Sequence, residues 1–152
     1  MKTRGEIFLA FGVLTKFNCP FYQRKNAMKN ILIVENDLGF IFWLGGALVA
    51  ADYQPWPACG VSDATELIEK AALPIDLLIV DPSLPGVSKL TAILRRSQAK
   101  LKVIALGTEV KTKLTGINAW LRKPVPTQEP SKQEQEWLEA VKDVFIGHRR
   151  AA

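Results

Sequence analysis

Few residues here could build a metal–sulfur site or a disulfide framework. Among the 152 residues are one histidine, His148, and two cysteines, Cys19 and Cys59. The two thiols lack metal-ligand spacing and are too few for a disulfide scaffold, which points to a reducing compartment, the cytoplasm. His148 lies in a basic tail beside Arg149 and Arg150 and reads as a solvated side chain. No apolar stretch is long and clean enough to span a bilayer, so no membrane partner is expected.

The folded body also lacks an excess of positive charge. The formal net charge is +5, but it is carried at the ends. Residues 1–27 hold Lys2, Arg4, Lys16, Arg24 and Lys25 against Glu6, and the tail adds Arg149 and Arg150. Between them, residues 28–147 have 13 basic and 14 acidic side chains. Nucleic-acid binding needs clustered Lys and Arg on the folded surface, so it is not expected. Hydrophobic content of 48% with 23% charged fits an ordinary globular chain, and the length fits one domain.

Residues 1–27 show no clear helix or strand pattern. The short apolar run Ile7–Leu14 follows Lys2 and Arg4, but Glu6, Lys16 and the lack of a small-residue cleavage site argue against a signal peptide. Met28 stands directly before the first good strand. The expectation is an upstream extension over 1–27, either an earlier start than the native one or a docking segment.

From Met28 the pattern becomes regular. Ile31-Leu32-Ile33-Val34 reads as a buried strand. Asp37 can cap a helix with Ile41, Leu44, Leu48 and Ala51 on its inner face. Gln54 to Cys59 is a weaker strand, and Pro55 and Pro57 confine it to a sheet edge. Asp63 and Glu66 resemble a capping box before a stripe of Ala64, Leu67, Ile68 and Ala71. Leu77–Val80 is a third strand, and Ser88–Arg96 a helix with Leu90, Ile93 and Leu94 inward. Val103–Leu106 and Ala119–Leu121 are the fourth and fifth strands. Ser131 with Glu134 forms a capping box for a last helix carrying Trp137, Leu138, Val141, Val144 and Phe145, closed by Gly147. Only 11 residues, Gly107 to Ile117, join Leu106 to Asn118. A helical crossover needs at least about 10–12, so the fourth helix is shortened or missing. Alternating strands and helices predict an α/β fold: a five-stranded parallel sheet with helices on both faces.

The strand ends carry the chemistry. Asp81 closes the run Leu77–Val80 and precedes Pro82-Ser83-Leu84-Pro85-Gly86. Taken alone it could be a turn or helix-cap aspartate. Glu35-Asn36-Asp37 follows the first strand, however, and Lys123 follows the fifth. In a flavodoxin-like order, 2-1-3-4-5, the first and third strands flank the switch point, so these groups converge. Oxygen ligands around one carboxylate, with an ammonium nearby, suit Mg²⁺ and a phosphoryl group. Asp81 is then the nucleophile.

The segments Ile31–Asp37, Asp76–Gly86 and Trp120–Pro124, in this order, resemble the response-regulator receiver family, the CheY-like fold. The resemblance covers about residues 28–147, leaving 1–27 as the extension and 148–152 as the tail. It implies phosphorylation on Asp81, with Glu35 and Asn36 in the acidic pocket, the Ser83 carbonyl on the metal, and Lys123 as the site's lysine. It implies a cis Lys123–Pro124 bond. It also implies Mg²⁺ as cofactor, and as partners a histidine kinase or phosphotransfer protein, an unknown downstream protein and, as receivers often pair, a homodimer.

Four departures qualify this. Asn36 replaces a usual acid, which predicts weak Mg²⁺ binding. Gly107 stands where a Ser or Thr hydroxyl is usual, and Thr108 follows one step later. Trp120 fills the aromatic switch position. The fourth helix, part of the family's output face, is cut down. The first helix adds Phe40, Phe42 and Trp43 outside its inner stripe, either as packing or as a docking face. Three readings stay open: a stand-alone receiver that signals by protein contact and is not itself an enzyme, a pseudoreceiver acting as a phosphorylation-independent interaction module, and a small α/β enzyme. The last lacks a visible base or second nucleophile near Asp81.

Overall fold

The computed structural model describes residues 28–107, 114–126 and 129–147. Five parallel strands form one sheet, β1 Asn30–Val34, β2 Gln54–Ala58, β3 Leu77–Val80, β4 Lys102–Leu106 and β5 Ala119–Leu121, in the order β2-β1-β3-β4-β5. Four helices accompany them, which we number α1 Leu38–Ala50, α2 Val61–Ala71, α3 Val87–Ser97 and α4 Pro130–Phe145. This is the flavodoxin-like architecture the strand pattern predicts.

The sheet is apolar on both faces because helices cover both. Ile31, Ile33, Leu77, Ile79, Ile104 and Leu106 meet α1 and α4 residues such as Leu44, Leu48, Trp137 and Val141. The alternate positions Leu32, Val34, Leu78, Val80 and Val103 meet Ala64, Leu90 and Leu94 of α2 and α3. The period of two along each strand thus divides one continuous apolar run between two cores. Register places Val34 beside both Ala58 and Val80, so the residues after β1 and β3, Glu35 and Asp81, leave the sheet side by side.

The edge strand β2 is blocked against further pairing. Gln54 donates its N–H to Lys29 O, and Ala58 O accepts from Glu35 N–H, so alternate backbone groups of β2 face β1. The positions between, Pro55 and Pro57, face outward and have no N–H to offer.

Several local expectations are corrected. Neither capping box forms. The second helix begins at Val61 behind Gly60, and the last begins at Pro130 behind Glu129, both without a side-chain cap. Proline at the first helical position has φ preset and needs no N–H partner, so it starts the helix before Ser131 can cap it. Starting at Val87, α3 buries Val87, Leu90, Thr91 and Leu94 and turns Ile93 outward. Ala51 ends α1 as its C-cap, and Ala71 is exposed. Asp37 does cap α1, accepting the Phe40 N–H at 3.2 Å. Among the described residues no helix lies between β4 and β5.

The aromatic excess of α1 is mostly packing. Phe40 and Trp43 meet Trp137 of α4 with ring centroids 5.5 Å and 6.4 Å apart, both edge-on, a favoured geometry. Phe42 differs, with 78% of its surface exposed. It borders a shallow apolar groove with Gly45, Val49, Pro55 and Pro57. Among the described residues no helix is long and apolar enough to cross a membrane.

Candidate functional site

The carboxyl ends of β3, β4 and β5 line one opening, and the end of β1 lies beside that of β3. Glu35 follows β1 directly and is fully buried. Its Oε1 accepts the N–H groups of Asn36 at 2.7 Å and Asp37 at 3.2 Å. Its Oε2 lies 2.7 Å from Lys123 Nζ. That contact is a short ion pair. A buried carboxylate without a cation would be costly, so the lysine is required by the burial itself.

Lys123 reaches this position from just past β5. Its Nζ also lies 3.6 Å from Asp37 Oδ2 and 5.7 Å from the centre of the Phe40 ring. Partial burial works against its charge, but contact with Glu35 and the fields of Glu35, Asp37 and Asp81 outweigh it. The pKa is raised above 10.5. Asp37 therefore does two jobs, capping α1 and facing the lysine. The expected cis Lys123–Pro124 bond is corrected. No peptide among the described residues is cis, the trans form being the ordinary ground state, and Lys123 meets Glu35 without it.

Asp81 sits one residue past β3 and is half-buried. Its N–H donates to Val34 O at 3.2 Å, which ties it to the end of β1. Its Oδ1 accepts both the Ser83 N–H at 2.8 Å and the Ser83 hydroxyl at 2.7 Å. Oδ2 has no hydrogen-bond partner among the described residues. Asp81, Leu106, Gly107, Arg122 and Lys123 line an opening of about 600 Å³. The arrangement offers one uncommitted carboxylate oxygen at a pocket mouth, with a cation across from it. Such a pair can receive a group that carries negative charge.

The structure thus brings Glu35, Asp81, Ser83 and Lys123 together. Asn36 is adjacent but its residue is exposed. Thr108 lies outside the described residues, as do His148 and residues 1–27. Gly107 bears no side chain, and its N–H is already donated to Leu121 O at 2.7 Å. Its φ of 113° lies where glycine is favoured. Trp120 is half-buried on β5, in register with Ala105.

The donor set fits a hard cation in part. It is all oxygen, with Glu35 Oε2 already held by the Lys123 ammonium at 2.7 Å. Yet among the described residues no three acidic, His or Cys groups cluster as a metal cage. Glu35, Asp81 and the amide of Asn36 are the oxygen donors that could hold such an ion.

No family model matches the sequence, and no curated protein does. Solved structures do. A CheY-like response regulator receiver domain protein from Methanospirillum hungatei JF-1 is similar at 20% identity, with a TM-score of 0.58, over 78% of this chain and 98% of that one. The signal receiver domain of an HD domain-containing protein from Pseudomonas fluorescens Pf-5 gives 23% and 0.61, over 78% and 95%. The response regulator TrrA from Thermotoga maritima, in complex with Mg²⁺ and BeF, gives 21% and 0.58, over 77% and 99%. This chain has the fold of a CheY-like receiver domain.

Sequence reasoning left three residues without a role at this site. Phe40 floors the lysine. Gln133 clamps the segment after Lys123, accepting the Val125 N–H at 2.7 Å and donating to Val125 O at 3.1 Å. Arg122 borders the opening beside Asp81. A polar residue on the inner face of the last helix was the available signal for Gln133. Nothing in the linear pattern marks Phe40 as the lysine's neighbour.

Proposed function

We propose that this receiver accepts a phosphoryl group on Asp81 from a histidine kinase or phosphotransfer protein and signals by contact with a downstream protein. The observation that carries the reading is the free Oδ2 of Asp81 at the shared opening, opposite a lysine held by buried Glu35. Ser83 holds Oδ1, so Oδ2 is the attacking atom. It forms a bond to phosphorus while the bond from phosphorus to the donor's nitrogen or oxygen breaks, and the donor leaves with that electron pair. Lys123 offsets charge on the transferred group. A bound Mg²⁺, held by Glu35, Asn36, Asp81 and the Ser83 carbonyl, would bring the carboxylate and the anionic group together. Later hydrolysis would return Asp81 and release inorganic phosphate, so the domain acts as a timed signal carrier rather than a turnover enzyme. The free thiol of Cys59 is compatible with the reducing cytoplasm, where such donors act.

The test is direct. With Mg²⁺ and acetyl phosphate, the intact protein should gain the mass of one phosphoryl group, and Asp81→Asn should abolish the gain. An unmodified wild-type mass at every magnesium concentration would refute the phosphoacceptor role.

A further inference from the structure

A phosphoryl group on Asp81 would bring about two negative charges at pH 7 into a pocket already holding Glu35 and Asp37. Donors are needed on its outer side, and β4 supplies none at residue 107. Gly107 has no side chain, and its N–H is donated to Leu121 O. Lys123 is already engaged with Glu35 at 2.7 Å and faces Asp37 at 3.6 Å. Among the described residues the remaining cation lining the opening is Arg122. Its guanidinium has no ion pair or hydrogen bond among the described residues. Arg122 also borders a second groove beside Glu136, but the two form no ion pair.

The backbone of Arg122 is fixed. Its carbonyl accepts the indole N–H of buried Trp137 at 3.2 Å, and Leu121 before it pairs with Leu106. Between β5 and β3 lies only β4, a gap of roughly 9.5 Å at two strand spacings. Among the described residues, chain neighbours aside, nothing lies within 4 Å of where a Gly107 side chain would begin. A guanidinium presents paired N–H groups that match two phosphoryl oxygens.

We propose that Arg122 is a second phosphoryl-binding residue, reaching over Gly107 to the group on Asp81. Arginine from β5 thereby supplies the donor that residue 107 of β4 lacks. This rests on Asp81 being the phosphoacceptor, and the experiment separates the two. The full chain is titrated with beryllofluoride plus Mg²⁺, read by tryptophan fluorescence, and labelled in parallel with acetyl phosphate.

Arg122→Gln should weaken beryllofluoride binding roughly tenfold or more, the worth of a charged hydrogen-bonding pair. Arg122→Lys should recover part of the loss, keeping charge but not the paired N–H groups. The affinity for Mg²⁺ alone and the urea midpoint should not move. If wild type is labelled and Arg122→Gln binds beryllofluoride equally well, Arg122 is not a ligand while the Asp81 reading stands. A parallel fall in Mg²⁺ affinity or urea midpoint would mean a structural role and overturn the proposal. If wild type takes neither label nor beryllofluoride, the Asp81 reading fails and this one with it.

Discussion

At the scale of single residues, the site is organised by one buried charge. Glu35 has no exposed surface, and its compensation is two backbone N–H groups and the Lys123 ammonium. Lys123→Met should therefore destabilise the protein by about 1–3 kcal/mol in urea unfolding at pH 7, with the lysine's own partial exposure keeping the cost below that of a fully buried pair. The sign of its pH dependence follows from the raised Lys123 pKa. A lysine whose folded value lies above the unfolded one stabilises fully below the unfolded value and loses that contribution as pH rises through the folded one. The stability difference between wild type and Lys123→Met should thus hold steady from neutral pH to about pH 10 and shrink beyond it. Taking the difference cancels Tyr53, whose pKa burial also raises. Asn36 gives a second prediction. Its exposed residue lies beside the acidic pair, so Asn36→Asp adds a hard ligand and should tighten Mg²⁺ binding, read by tryptophan fluorescence. An unchanged affinity would remove Asn36 from the metal site.

At the scale of elements, α1 and α4 act together. Trp137 packs against Phe40 and Trp43 and donates to Arg122 O, joining the helix core to the strand that delivers Lys123. Trp137→Phe leaves that carbonyl without its donor and opens a gap, and should cost about 1–3 kcal/mol in urea unfolding. By contrast α1 carries Gly45 and Gly46 with open space where side chains would start. Gly46→Ala should raise stability by roughly 0.5–1 kcal/mol, seen as a higher Tm. The elements also show where linear patterns mislead. The β1 and β3 runs are buried throughout, as Ile31–Val34 and Leu77–Val80 imply, because four consecutive apolar residues leave no side for water. Helix starts were harder. Ser131 and Asp63 carry capping side chains, yet Pro130 and Gly60 set the first turn, a choice made by backbone geometry rather than by side-chain type. Ile93 is expected inside, but the packed face is centred on Val87, Leu90, Thr91 and Leu94 and leaves it outward.

At the scale of the whole molecule, the sheet has one guarded edge. The outward backbone positions of β2 are both proline, so this edge lacks donors for a partner strand. Replacing Pro55 and Pro57 together by valine restores two donors and should promote self-association, measured by light scattering at increasing concentration; an association state unchanged by the substitution would show that another feature protects the edge. On the opposite side Trp120 of β5 is half-buried. The sequence by itself determined the strands and set Glu35, Asp81 and Lys123 at their carboxyl ends, while the strand order came with the likeness to a known fold. Apolar runs of strand length ending in polar residues leave little freedom in how a parallel sheet is wound. Only the tertiary structure decided that Glu35 is sealed from water, that Asp37 both caps and faces the lysine, and that Arg122 shares the opening with Asp81. Those outcomes depend on which side chains meet across strands distant in the chain, and the spacing of residues along one strand holds no record of its neighbours.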